Sequence, residues 1–258
     1  MADLKTRRTV PQQRRGTGTG QAPAAPQSRA RGLLELATSI PGLAAAFVVF
    51  TLLAMSPLEP LDRALDQHWV SGNAPGLMAF LNDGLDRLAG QQVNLTVLAV
   101  VAITLAWRRL SWRPILLAIM AEAGFYSTGL LKILFARPAP YIGGGHDPDF
   151  FDGGLLTMGR DGISYPSGHA AEAVLVYGAV VYLLTTYGHL SSRAVRAVRW
   201  AYAAVVVNAV AVAFLLGYHW VTDLVGGLLF GALLLQVVVH LDRGWRRAHR
   251  ERVTDSAS

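Results

Sequence analysis

Apolar residues in this chain occur in long, nearly uncharged blocks rather than in the short alternating runs that are typical of strands. Six blocks lie at roughly residues 34–55, 90–107, 114–135, 168–187, 197–217 and 220–241, of which the second is the shortest. A helix of about 20 apolar residues is long enough to cross the hydrocarbon core of a bilayer. The pattern therefore predicts an all-α bundle of six transmembrane helices, and buried helices of a soluble protein are the less favoured alternative.

The charge distribution supports this interpretation and indicates an orientation. Of the 258 residues, 52% are hydrophobic and 16% are charged. The formal net charge of +6 is also compatible with nucleic-acid binding. However, the arginines cluster before the first block, in the links after the second and fourth, and beyond the sixth, whereas the acidic residues concentrate in the links after the first and third. This alternation follows the positive-inside rule, so we expect cytoplasmic termini and no nucleic-acid partner.

The two ends of the chain differ in composition from the region between them. Residues 1–32 are rich in Arg, Gln, Pro and Gly without hydrophobic periodicity, which predicts a disordered basic cytoplasmic tail. Residues 33–242 hold the six predicted spans in one domain, and residues 243–258 are predicted to be a second basic cytoplasmic tail. The absence of cysteine excludes disulfides and thiolate chemistry.

Two long links between spans carry specific expectations. In residues 56–89, leucines recur at helical spacing opposite polar residues, which predicts an amphipathic or packed loop helix. Residues 138–166 form a long polar insertion with glycines and interspersed aromatic side chains. Loops of this length are commonly functional or mobile, so we consider either a lid over a site or a flexible external loop.

Candidate chemistry lies at the edges of the apolar blocks. His219 and Asp223 are four residues apart, so the carboxylate lies one helical turn from the imidazole and can orient it. Ser167, Gly168 and His169 precede another apolar block, where the first N–H groups of a helix favour an anion. Two imidazoles, one carboxylate and an anion site are the groups that phosphoryl transfer through a phosphohistidine needs.

Together with an upstream basic segment, these motifs resemble the type 2 phosphatidic acid phosphatase (PAP2) family, which also includes vanadium haloperoxidases. The family pattern is Lys-x6-Arg-Pro, then Pro-Ser-Gly-His, then Ser-Arg-x5-His-x3-Asp. Residues 166–169 match the second element, and His219 and Asp223 match the end of the third. Counting from Lys132, the family arginine falls on Ala139, with Arg137 two residues earlier, and the Ser-Arg pair falls on residues 212–213, Val-Ala. The resemblance covers roughly residues 90–240.

The resemblance implies a six-span PAP2-like bundle that hydrolyses a lipid phosphate at its extracytoplasmic edge, without a metal or other cofactor. Phosphatidic acid, phosphatidylglycerol phosphate and polyprenyl phosphates or diphosphates are the implied substrates. The implied catalytic residues are His219 as nucleophile, Asp223 as the carboxylate that orients His219, and His169 as general acid. The implied phosphate-binding residues are Lys132, Arg137, Ser167 and Gly168, and Arg160 is another candidate for the missing cation.

Four alternatives remain at this point. A haloperoxidase, the other activity of the family, is a weaker one, because six spans do not suit a soluble oxidant enzyme. Loss of two phosphate-clamping arginines fits a catalytically weakened member that binds lipid phosphates or acts as a membrane partner. His169, Glu172, His219 and Asp223 offer nitrogen and oxygen ligands for a metal ion. Ser167 with His219 resembles a membrane serine protease dyad, although the sequence around the serine and the adjacent His169 do not fit one.

Overall fold

The computed structural model describes residues 32, 34–65, 74–140, 149–151 and 163–255. Within these ranges the chain is helical and contains no strand. The helices are α1 (Ile40–Ala54), α2 (Glu59–Ala64), α3 (Pro75–Phe80), α4 (Asp86–Ala89), α5 (Gln91–Arg109), α6 (Arg113–Phe135), α7 (Gly168–Tyr187), α8 (Ser192–Leu215) and α9 (Val221–Asp255). A π-helical segment, Leu81–Leu85, joins α3 to α4. The all-α prediction is confirmed.

Five helical stretches in the described ranges are long and apolar enough to cross a membrane. They are Pro75–Arg109, Arg113–Phe135, Gly168–Tyr187, Ser192–Leu215 and Val221–His249. The first predicted span corresponds to α1, which has only 15 residues and is about 22 Å long, shorter than a bilayer core of about 30 Å. It begins late because the Ser39 side chain accepts a hydrogen bond from the Gly42 N–H and caps the helix there. The predicted count of six full spans is thus five spans and one shorter apolar helix.

Residues Met1–Glu35 and Leu36–Ser258 are two separate units, and every helix named above belongs to the second. The predicted N-terminal tail at 1–32 lies outside the described residues, apart from Gly32. At the other end, α9 continues without a break to Asp255. The segment predicted as a C-terminal tail is therefore helical as far as the structure describes it.

Glycines allow α7 and α9 to pack at short distance near the ends that carry the two motifs. A Cβ atom added to Gly227 of α9 would lie 2.5 Å from the carbonyl oxygen of Ser167, and one on Gly231 would lie 2.5 Å from that of Ala171. Small residues permit such close helix contacts where lipid surrounds the bundle. Helix α7 consequently lies at the centre of the bundle, and more than half of its side chains are buried. This packing fixes the start of α7 beside the start of α9.

Candidate active site

The two histidine motifs meet at one end of the bundle. The N–H of Ser167, which caps α7, donates to the carbonyl oxygen of Asp223 at 2.9 Å. The rings of His169 and His219 lie with their centroids 5.7 Å apart and their planes at 68°. The fold therefore brings together two imidazoles that are 50 positions apart in the sequence.

His219 lies in the turn between α8 and α9 and is almost fully buried, with 6% of its side chain exposed. Its Nδ1 atom is 3.6 Å from Oδ2 of Asp223, just beyond hydrogen-bonding distance. Burial is the main cause that lowers the pKa of His219 to about 4, and the positive charge of Lys132 acts in the same direction. The imidazole is consequently neutral near pH 7, as a nucleophilic nitrogen must be.

Asp223 is held by other partners in addition to its contact with His219. Its Oδ2 atom accepts a hydrogen bond of 2.9 Å from the N–H of Trp220, and its Oδ1 atom accepts one of 2.5 Å from Arg137. The Trp220 indole N–H in turn donates to the carbonyl oxygen of Pro138 at 2.8 Å. These contacts fix the carboxylate at the first turn of α9, beside the imidazole that it faces.

Arg137, which the resemblance implies as a phosphate ligand, is bonded to protein side chains in this structure. Its side chain has no exposed surface, and Nη1 donates to Thr222 and Asp223 at 2.7 and 2.5 Å. Its Nη2 atom donates to Asp62 at 2.6 Å, and the guanidinium carbon lies 4.6 Å from the centre of the Phe150 ring. Both terminal nitrogens are thus bonded to oxygens of protein side chains.

Asp62 is a member of this cluster that sequence analysis missed. It lies on α2, and its carboxylate accepts hydrogen bonds from the backbone N–H and the hydroxyl of Thr222, at 3.0 and 2.5 Å, in addition to the bond from Arg137. The side chain is entirely buried. In the sequence it is one of several acidic residues after the first apolar block, and no local pattern connects it to Arg137, 75 positions away.

Lys132, Ser167 and Gly168 also lie near one another. The Lys132 ammonium group donates to the carbonyl oxygen of Ile163 at 3.0 Å, and its side chain passes 3.7 Å from the Cβ position of Gly168. Ser167 is buried, and its hydroxyl accepts from the N–H of Ala170 at 3.3 Å, which caps the helix. A Cβ atom at position 168 would touch the lysine side chain at ordinary van der Waals distance, so the lysine lies directly against the start of α7.

His169 is the more accessible of the two imidazoles, with 27% of its side chain exposed. Its Nε2 atom lies 3.4 Å from Oδ1 of Asp86, and its ring stacks against Tyr218 with centroids 6.0 Å apart. Asp86 begins α4, directly after the π-helical segment. The extra residue per turn of a π-helix shifts the following side chains around the axis. The helical spacing of the leucines in residues 56–89 puts Asp86 among the polar residues on the opposite side, so sequence analysis missed this contact.

The family is decided by comparison with known proteins. The model of the PAP2 superfamily matches residues 112–247, which is more than half of the chain. The chain belongs to the PAP2 superfamily. A curated relative, phosphatidylglycerophosphatase B of Bacillus subtilis (strain 168), is 24% identical over 206 residues, covering 78% of this chain and 95% of that protein.

The crystal structure of a transmembrane PAP2 type phosphatidylglycerolphosphate phosphatase from Bacillus subtilis has the same fold. It superimposes with a TM-score of 0.65 at 21% identity, covering 80% of this chain and 96% of the other. The described helices and this shared fold identify the PAP2 chain as a multi-pass membrane protein.

Two positions where the PAP2 pattern has arginine are buried and apolar here. Ala139 is 6% exposed, and Ala213 is completely buried. Ala213 packs with Ala170 and Leu224 in an apolar cluster beside the start of α7. Arg160, the other candidate cation, and most of the predicted lid at 138–166 lie outside the described residues.

Glu172, one turn beyond His169, is buried within α7, and its Oε1 atom has no hydrogen-bond partner. In the part of the chain that the structure describes, no group of three or more histidine and carboxylate side chains is arranged to hold a metal ion. The four residues considered as metal ligands are thus not grouped as one site.

Proposed function

We propose that this chain is an integral-membrane phosphatase that hydrolyses a lipid phosphate through a phosphohistidine on His219. The observation that carries the proposal is the pair of imidazoles 5.7 Å apart, of which one is buried and neutral with Asp223 at its Nδ1 side. A neutral nucleophilic nitrogen beside a second, partly exposed imidazole is the arrangement that in-line phosphoryl transfer requires.

In the first step, the Nε2 lone pair of His219 attacks phosphorus and the bond from phosphorus to the lipid oxygen breaks. His169 gives its proton to the departing alkoxide, and Asp223 stabilises the positive charge on the phosphorylated imidazole. In the second step, His169 takes a proton from water as the water oxygen attacks phosphorus, which releases inorganic phosphate and restores neutral His219. Lys132, Ser167 and Gly168 are proposed to bind the phosphate, because they lie at the start of α7 beside both imidazoles.

The proposed substrate is a lipid because the site lies at the ends of membrane-spanning helices, where a headgroup can reach the histidines while its tail stays in the bilayer. The names of both relatives refer to phosphatidylglycerol phosphate, which makes this lipid the first to test. Phosphatidic acid and polyprenyl phosphates or diphosphates share the same reacting group. The proposed face is extracytoplasmic, on the basis of the arginine distribution.

A second candidate function, binding of lipid phosphates without efficient turnover, is supported by the two buried alanines. Loss of one preorganised donor to a transition state costs about 2.7–4 kcal/mol. Arg137 is bonded to two carboxylates, which supports the proposal that it does not stand in for either missing arginine at the phosphate. A slow enzyme and a lipid-phosphate sensor are therefore the two outcomes to be separated.

The deciding experiment is phosphate release from these lipids by purified protein in detergent. Wild type and His240→Ala, which changes an exposed histidine far along α9, should release phosphate, and His219→Ala should not. Activity should survive EDTA. Orthovanadate should inhibit the wild-type protein, and in a binding assay it should bind wild type but not His219→Ala. Vanadate binding without phosphate release would favour the sensor, whereas loss of activity on chelation that zinc or magnesium restores would overturn the metal-free mechanism.

A further inference from the structure

A cavity of about 680 Å³ lies at the opposite end of the bundle from His219. It is formed by the link between α5 and α6, the last turn of α7 and the C-terminal part of α9. Its principal lining side chains are Arg109, Trp112, Arg113, Tyr187, His189 and His249. Helix α7 runs from Gly168 at the candidate active site to Tyr187 at this cavity, and its 20 residues span about 30 Å. The cavity therefore belongs to the other leaflet and is separate from the substrate site.

The cavity is positively charged. Among its described lining residues are two arginines and two histidines, and none is a carboxylate. Arg109 donates through Nε to the carbonyl oxygen of Tyr187 at 2.7 Å, and this bond does not use its two terminal nitrogens. For Arg113, the described part of the chain contains no ion pair. Two guanidinium groups at a cavity without an acid favour an anion, and their planar forks match phosphate oxygens.

The surroundings of the cavity indicate that its anion is part of a lipid. Arg109 ends one membrane helix and Arg113 begins the next, so both lie at the level where apolar sequence gives way to polar. Leu110 and Trp112 between them are 91% and 68% exposed. Trp112 also lines an adjoining cavity with Trp245 of α9. Tryptophans at this level are typical of the membrane interface, and exposed apolar side chains beside a cationic cavity suit acyl chains beneath a headgroup.

We propose that this cavity binds the phosphodiester headgroup of an anionic phospholipid in the leaflet opposite the catalytic site. Arg109 and Arg113 contact the phosphate oxygens, and Leu110 and Trp112 contact the upper part of the acyl chains. The volume is within the range of small-molecule sites, about 300–1,000 Å³. The proposal does not depend on catalysis at His219, because the loss of binding in Arg113→Gln, and not the stabilisation by itself, assigns the lipid to this end of the helices.

The test compares the thermal unfolding of the full chain in detergent after addition of phosphatidylglycerol, phosphatidylcholine or inorganic phosphate, with mass spectrometry to count retained phosphatidylglycerol. A ligand that binds only the folded state raises the midpoint, so phosphatidylglycerol should raise it more than the other two. Arg113→Gln should weaken the apparent affinity for phosphatidylglycerol about tenfold or more, the effect of losing one hydrogen bond to a charged group. Arg196→Gln, which removes an exposed charge at the same end from α8, should bind as wild type does.

Arg109→Gln combined with Arg113→Gln should weaken binding further, and the single Arg113→Gln variant decides the question if the double variant does not fold. Equal stabilisation by phosphatidylcholine would overturn the preference for an anionic lipid. Equal stabilisation by inorganic phosphate would identify a free anion as the ligand and overturn the lipid assignment. Equal losses in Arg113→Gln and Arg196→Gln would mean that general charge, and not this cavity, attracts the lipid.

Discussion

Replacing Arg137 with methionine is expected to damage both stability and turnover, because the side chain holds two buried carboxylates together. Its guanidinium donates to Asp62 at 2.6 Å and to Asp223 at 2.5 Å, and all three side chains have no exposed surface. Methionine has a similar length and no charge. The variant would therefore leave two carboxylates buried near each other without the cation that compensates them.

The size of this effect follows from measured costs of breaking buried ion pairs. Removal of one partner destabilises a protein by about 3–5 kcal/mol, since the remaining charge stays buried. For a domain of this size, about 1 kcal/mol lowers the melting temperature by about 2–4 °C, so the expected fall is about 6–20 °C. Asp223 would also lose one of the two bonds that fix it beside His219, so kcat should fall.

The assay is thermal unfolding in detergent together with steady-state phosphate release. Arg63→Met is the matched control, because it removes the same charge from an exposed arginine on α2 that pairs with Glu59 and Asp149. Exposed pairs contribute at most about 1 kcal/mol, so its melting temperature should change by a few degrees at most. Arg137→Lys keeps the charge, but a single ammonium group cannot bridge Asp62 and Asp223, so this variant should also be unstable.

A different result would refute this reasoning. If Arg137→Met melts as Arg63→Met does, raises KM and weakens vanadate binding, then Arg137 is the phosphate ligand that the sequence predicts. If Arg137→Lys retains wild-type stability, the bridge between the two carboxylates is not what the side chain contributes.

Three further predictions use other features of the chain. Gly227→Ala should prevent close packing at the start of α7, because the added Cβ meets a carbonyl oxygen at 2.5 Å, and it should lower both the melting temperature and kcat. Gly244→Ala, with open space around the added Cβ, should change neither, and equal melting temperatures of the two variants would contradict this prediction. Because burial lowers the pKa of His219 to about 4 from 6.5, the unfolded chain takes up a proton first as the pH falls. Stability should therefore decline between about pH 6.5 and 4, by up to about 3 kcal/mol, and His219→Gln should remove that part of the decline. In intact cells, a cysteine at Asp149 should react with an impermeant thiol reagent and one at Ser192 should not, and the reverse pattern would overturn the predicted orientation.

The features that sequence analysis identified are those in which interacting residues lie close together along the chain. The spacing of His219 and Asp223 predicted their proximity, and their side chains do lie 3.6 Å apart, although His219 is in the turn before α9 and not on the helix itself. Likewise, blocks of about 20 apolar residues predicted the membrane helices, since length and hydrophobicity alone decide whether a helix can cross a bilayer. The shorter α1 was not foreseen even though its Ser39 cap is a local contact, because the first block was delimited by hydrophobicity alone and not by capping residues.

The partners of Arg137 were decided only by the tertiary structure. The resemblance implies a phosphate ligand at this arginine, five residues from Lys132, and the fold places Asp62 and Asp223 against it, from 75 and 86 positions away. A similar case is Asp86, which reaches His169 after a π-helical segment that a period of 3.6 residues does not anticipate. Sequence by itself thus determined the helices and the local histidine motif, because these depend on neighbouring residues. Only the packed bundle decided which charges meet, since a buried charge must be compensated by whatever partner the fold brings within reach.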